Sequence, residues 1–251
     1  MKLFRHELAF EQILFWRNRE AAFFTFFLPV IFFLIFGSVY GNDLIKPDLV
    51  KGSAYLVAGM IGYGVASTAF AGLGITMVVR RESGVLKRVR GTPMPPATYI
   101  AAVLASTLVV FLVEAALIIG LGRVLYGVAL PARWLSLVLT LLLGAATFAA
   151  MGLAITGAVR SAEGSSAVIN AVYLPMAIIS GTFFSPHSYP GFLKVIANVL
   201  PLTHFTRLTR DVLLKHHEIW DRPGQVGVVA LWGLIGLVVA VRAFRWEPRE
   251  R

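Results

Sequence analysis

The stretch AYLVAGMIGYGVASTAFAGLGITMV, residues 54–78, runs straight into VRRESGVLKRVRGTPMPPATY, residues 79–99, and this junction decides the fold. The first part is free of charge over its whole length, and about 20 mostly apolar residues let a helix cross the hydrocarbon core with every backbone group satisfied internally. The second part carries five Lys/Arg against one Glu and closes on Pro93, Pro95 and Pro96. Another apolar run begins at once, at Tyr99. A short basic turn between two membrane spans has no room for a catalytic pocket, so it reads as a cytoplasmic handle for a partner.

Working outward, six segments are long and apolar enough to span: Ala21–Tyr40, Ala54–Val78, Tyr99–Gly122, Trp134–Val159, Ser165–Phe184 and Gly224–Val241. Pro175 interrupts the fifth and predicts a kink there. The chain has 251 residues, 57% of them hydrophobic and 14% charged, with a mean hydropathy of +0.76. These values fit an all-α polytopic membrane protein and exclude an ordinary water-soluble domain. The net charge is +10, but the basic residues cluster at the ends of apolar segments. There they meet anionic headgroups and set topology, which argues against a nucleic-acid partner. The absence of cysteine excludes disulfides, thiolate metal sites and cysteine nucleophiles.

Orientation follows from counting Lys and Arg. With the N-terminus inside, the inner segments hold Lys2, Arg5, Arg17, Arg19, Arg80, Arg81, Lys87, Arg88, Arg90, Arg160, Arg242, Arg245, Arg249 and Arg251, fourteen in all. The outer segments hold nine, and five of these lie in one long loop where the rule loses force. Both termini are therefore expected in the cytoplasm, in a multi-pass protein of the cell's inner membrane. The opening MKLFRHELAFEQILFWRNRE lacks an uninterrupted apolar core and does not read as a removable signal peptide. It reads as a helix over residues 1–20 lying along the inner headgroup layer, or as a charged tail. Trp16 and the flanking arginines favour the interfacial helix.

Residues 185–223 form a long outward region bounded and punctuated by Pro186, Pro190 and Pro201. The run between Pro190 and Pro201 is too short to cross a bilayer but long enough for a helix that dips in and returns. Beyond it, Leu202, Phe205, Leu208, Val212 and Leu213 recur at helical spacing opposite Arg207, Arg210 and Lys215, which predicts an amphipathic helix on the outer surface. Small residues fall four apart in two spans: Gly64, Thr68 and Gly72, then Ala146, Ala150, Ala154 and Ala158. Such ladders let helices approach closely, within the bundle or between subunits.

Glu114 is the only carboxylate deep inside an apolar segment, where a charge costs roughly 2.5–3.5 kcal/mol on insertion scales. It must be paired, protonated or turned toward a polar cavity. A proton-relay or cation-contacting role and a plain interhelical hydrogen bond both remain open for it. His6, His187, His204, His216 and His217 show no metal-ligand spacing. No nucleophile elbow, paired intramembrane carboxylates or phosphate loop G-x-x-x-x-G-K-[ST] occurs in the chain. Any ATP-driven movement therefore requires another chain, docked on a cytoplasmic surface. Arg80–Pro96 is the candidate, with Arg80, Arg81, Glu82 and Lys87 at the rim and Val85, Leu86 and Val89 as apolar contacts at helical spacing. The alternative is a positive-inside loop held to lipid by charge alone. Two further classes stay open: a proton-coupled transporter using Glu114, and a non-transporting membrane scaffold.

Three stretches together resemble the membrane subunit of ATP-binding-cassette exporters of the type-2 permease class. They are RNREAAFFTFFLPVIFFLIFG with the helix before it, RRESGVLKRVRGTPMPP, and ISGTFFSPHSYPGFLKVIANVLPLTHFTRLTRD. The resemblance covers nearly the whole chain as a single transmembrane domain, residues 1–251. It implies a homodimer or a heterodimer with a related permease, in contact with membrane lipid. It also implies two cytoplasmic ABC ATPase subunits that bind ATP and Mg, with no cofactor in this chain. On that resemblance Arg80–Arg90 is a coupling helix, Gly91–Pro96 restarts the third span, Pro186–Pro201 is an outer re-entrant region, and the basic loop carries ATPase motion to the path. Permeases of this class and size export drugs, antibiotics, lipids, lipid-linked polysaccharides or haem-related cargo. The phenylalanine-rich first span tilts the expectation to a hydrophobic drug or antibiotic over a glycan.

Overall fold

The computed structural model describes residues 2–46 and 49–248, so Arg249 and Arg251 of the charge count lie outside the described residues. All six expected spans are helices of sufficient length and hydropathy. Helix α1 (Lys2–Arg17) precedes α2 (Arg19–Tyr40), and Asn18 separates them by accepting a hydrogen bond from the Ala21 N–H through its side chain. A hairpin follows that the sequence reading missed, β1 (Leu44–Ile45) paired antiparallel with β2 (Val50–Lys51).

The second span is a single 31-residue rod, Gly52–Glu82, and it is the buried axis of the molecule. It comprises α3 (Gly52–Gly64), a π-helical stretch from Val65 to Gly72, and α4 (Leu73–Glu82). Gly152 of the fourth span lies so close that an added Cβ would stand 2.7–2.8 Å from the carbonyl oxygens of Ala69 and Phe70. Gly84, at φ 73°, then reverses the chain in a left-handed conformation that other residues adopt only under strain. Helix α5 (Val85–Arg90) follows, so the helix expected over Arg80–Arg90 is in fact the last turn of α4, a glycine turn, and one short helix.

Helix α6 (Pro96–Tyr126) starts with proline at N1 and ends at Gly127, extending about one turn past each expected boundary. Helix α7 (Trp134–Ile155) stops four residues before Val159, and α8 (Ala162–Ile179) stops five before Phe184. The three prolines of the outward region do punctuate it: Pro186 opens a single 3-10 turn, Pro190 precedes α9 (Gly191–Val199), and Pro201 is the first residue of α10 (Pro201–Leu214). Helix α10 corrects one expectation. It does not lie on the surface but packs against α3, α7 and the last span, α11 (Pro223–Ala243), with Leu202, Phe205, Leu208 and Val212 at 0% exposure. Of the polar face assigned by periodicity, Arg210 is buried while Arg207 and Lys215 are only partly covered.

Candidate functional site

The basic junction is built from inward-turned cations. Arg80 donates to both carboxylate oxygens of Glu11, at 2.6 and 2.7 Å, and to the Tyr99 hydroxyl at 2.8 Å. Gln12 adds bonds to the backbone and side-chain oxygens of Ser106, at 3.0 and 2.9 Å. Helix α1 is thereby fastened to α4 and α6 through its polar face, while Leu3, Phe10, Ile13 and Trp16 stay exposed on the other. Glu7 sits beside Glu11, and its carboxyl is pushed above the usual carboxylate range, first by burial and then by the neighbouring Glu11 charge.

Arg81 was expected at the rim and is instead 1% exposed. Its terminal nitrogens donate to the carbonyls of Thr156 and Val159, at 2.9 and 2.7 Å, and its Nε donates to Glu82 at 2.7 Å. The physical reason is that the chain leaves the helix after Ile155, and the planar guanidinium at the penultimate residue of α4 answers the carbonyls of the C-cap Thr156 and of Val159 just beyond it. Leu86 is likewise inside, at 0% exposure, with Val89 packed half-buried against the core. Leu86 and Val89 of the apolar triplet thus seat α5 on its own bundle. What α5 turns outward is Lys87, Arg88 and Arg90.

Beside this joint lies a cleft of about 660 Å³, bounded by α1, α2, the second span, α6 and α8. Phe24, Leu28, Val103 and Val110 give it apolar walls, and Ser67, Thr76, Thr107 and Asn170 give it scattered polar groups. Arg80 and Glu11 close one end, and Tyr63 and Tyr173, with ring centroids 5.8 Å apart, line its wall. This combination of apolar lining with a few placed polar groups is the usual character of a small-molecule site. The stripe Gly64, Thr68 and Gly72 finds its use here: Thr68 and Gly72 line the cleft, and the π turn that contains Ser67 and Thr68 presents them to it.

Glu114 stands one layer behind that wall. It is 1% exposed, and Thr68 Oγ1 donates to its Oε2 at 2.9 Å. A Cβ at Gly64 would come within 2.7 Å of Oε1, so glycine makes the room for this carboxylate. The partner could not be read from sequence, because it lies on another helix 46 residues away. The second small-residue ladder is only partly used: Ala150 sits beneath Gly236 of α11, whereas Ala146 and Ala158 are exposed.

At the opposite end Tyr55, which the sequence did not single out, meets Arg210. Tyr55 donates to the carbonyls of Gly181 and Phe184, at 2.9 and 3.3 Å, and the Arg210 guanidinium lies 3.6 Å from the centre of its ring. Arg210 also donates to the Gly181 carbonyl, so the end of α8 is capped from both α3 and α10. A tyrosine in an apolar run gives no signal of this in sequence.

Residues 3–214 match the family described as ABC-2 type transporter. The chain is similar to YvfS of Bacillus subtilis (strain 168), named as a transport permease, with 27% identity over 190 residues that make up 75% of this chain and 76% of that protein. With six membrane-spanning helices and a family match over most of its length, the chain is a multi-pass membrane permease and belongs to the ABC-2 type transporter family.

Proposed function

We propose that this chain pairs with a second copy, or with a related permease, to form the translocation path of an ATP-driven exporter in the cytoplasmic membrane. Two copies of a separate cytoplasmic ABC ATPase bind ATP and Mg and supply the energy. The observation that carries the reading is the joint at Arg80. Its bonds to Glu11 and Tyr99 make α1, the end of the second span and the start of α6 one unit, and Arg80 and Glu11 are themselves part of the cleft. A push on α1 or α5 is therefore a displacement of the cleft wall.

In this arrangement both termini and α5 face the cytoplasm, α1 lies in the inner headgroup layer on its exposed apolar face, and α9 with α10 forms the outer re-entrant region. Residues 80–96 are the coupling segment. The ATPase meets Lys87, Arg88 and Arg90 rather than Leu86, which is enclosed. Cargo is a hydrophobic drug, antibiotic or lipid taken from the cytoplasm or inner leaflet. Walls made of Phe24, Leu28, Val103 and Val110 suit such a molecule better than a glycan.

The test is ATP-dependent accumulation of a fluorescent hydrophobic dye in proteoliposomes holding the permease and its ATPase. Reversing the charge of Lys87, Arg88 and Arg90 together should lower transport by about tenfold or more with normal insertion, through lost complementarity with the partner. Unchanged transport would overturn the coupling surface. Glu114→Gln should leave ATP-driven transport working; accumulation driven by a pH gradient without ATPase, and abolished by that substitution, would replace this reading with proton coupling.

A further inference from the structure

A second cleft, of about 430 Å³, opens between the hairpin, the turn at Pro186, α9, α10 and the start of α11. Among the described residues, Lys46, Lys194, Arg207, Arg210 and Lys215 line it against one carboxylate, Asp211. That carboxylate is already shared by Lys215 Nζ at 3.0 Å and Arg222 Nε at 2.9 Å, so it cannot balance the remaining cations. At the wall, Arg210 is 7% exposed, and its Nε–H has no acceptor among the described residues. A buried guanidinium with an unanswered donor is costly, and an anion seated in the adjoining cleft would offset its charge. Beside this basic interior, α9 exposes Phe192, Val195 and Val199 at 59–67%. The site is cationic within and greasy at its edge.

We propose that this cleft seats the phosphate-bearing headgroup of an anionic phospholipid, with the acyl chains laid along the exposed face of α9. Charge selects the head and apolar surface selects the tail, so a zwitterionic lipid or a free anion satisfies only half of the site. That the lipid belongs to the outer leaflet rests on the orientation proposed above; the binding itself does not.

Native mass spectrometry of the purified full chain in neutral detergent tests this, with dioctanoyl phosphatidylglycerol, dioctanoyl phosphatidylcholine and inorganic phosphate as probes. One saturable copy of phosphatidylglycerol is expected, with phosphatidylcholine about tenfold weaker or more. The double substitution Lys194→Gln and Arg207→Gln should weaken phosphatidylglycerol by about 25-fold, at about fivefold per cation. Lys46→Gln alone, at an exposed hairpin position, should cost about fivefold and keeps the test open if the double variant unfolds. Equal binding of the two lipids, or phosphatidylglycerol binding that ignores both variants, would overturn the proposal. So would inorganic phosphate that displaces the lipid at equal concentration, since the tails would then contribute nothing. None of these measurements involves ATP or a partner chain, so failure here leaves the exporter reading intact, and the reverse holds too.

Discussion

Arg81 and Arg210 are both buried, and both cap the end of a helix from a neighbouring one, yet their surroundings differ. Arg81 has Glu82 on its Nε and two carbonyls of the α7 terminus on its other nitrogens. Every direction of its guanidinium that the structure records is answered by an acceptor within the chain. Arg210 meets one carbonyl, Gly181, and the face of Tyr55, and its Nε–H has no acceptor among the described residues. A fully answered buried charge belongs to the fold, whereas one left with an open donor next to a basic cleft has capacity for a ligand. The difference separates the two ends of the bundle: the Arg81 end is locked, and the Arg210 end holds unspent charge.

Substitutions can break that contrast. Arg81→Met should be the most damaging, because it takes the donor away from the Thr156 and Val159 carbonyls and the Glu82 carboxylate at once; removing one partner of a buried charged network costs about 3–5 kcal/mol. Thermal unfolding in detergent measures this, and a loss under half that size would place Arg81 in a role other than structural. Arg210→Met should cost less, about 1–3 kcal/mol, since one hydrogen bond and one cation–π contact go while no carboxylate is stranded. Equal losses for the two variants would erase the comparison. Tyr55→Phe should cost least, about 0.5–1.5 kcal/mol, because the ring stays beneath Arg210 while the bonds to Gly181 and Phe184 vanish. A larger loss there would mean that the hydroxyl, not the ring, holds Arg210 in place.

The spans were legible because hydropathy over 20 residues is a property of composition, and their ends moved by only a turn or so. Pro186, Pro190 and Pro201 were legible as punctuation because a missing N–H acts locally. The orientation of single side chains was not. Counting positive charge treats Arg80, Arg81 and Lys87 alike, but the helix puts one on Glu11, one on the carbonyls of α7 and one outside. Leu86 at helical spacing with Val85 and Val89 announces an apolar face without saying what covers it; the covering surface turned out to be the chain's own core. Helix α10 misled for a related reason. Arg210 read as part of a polar surface face, yet it finds Gly181 and Tyr55 inside the bundle.

By itself the sequence determined that this is a six-span α-helical membrane protein with a basic turn after the second span, because burying backbone in lipid leaves no other solution for such runs. Only the tertiary structure decided which charges are bound within the chain and which face outward. Hydrogen-bond partners 69 to 78 residues apart, such as Glu11 for Arg80 and Val159 for Arg81, are brought together by helix packing and leave no mark at local spacing.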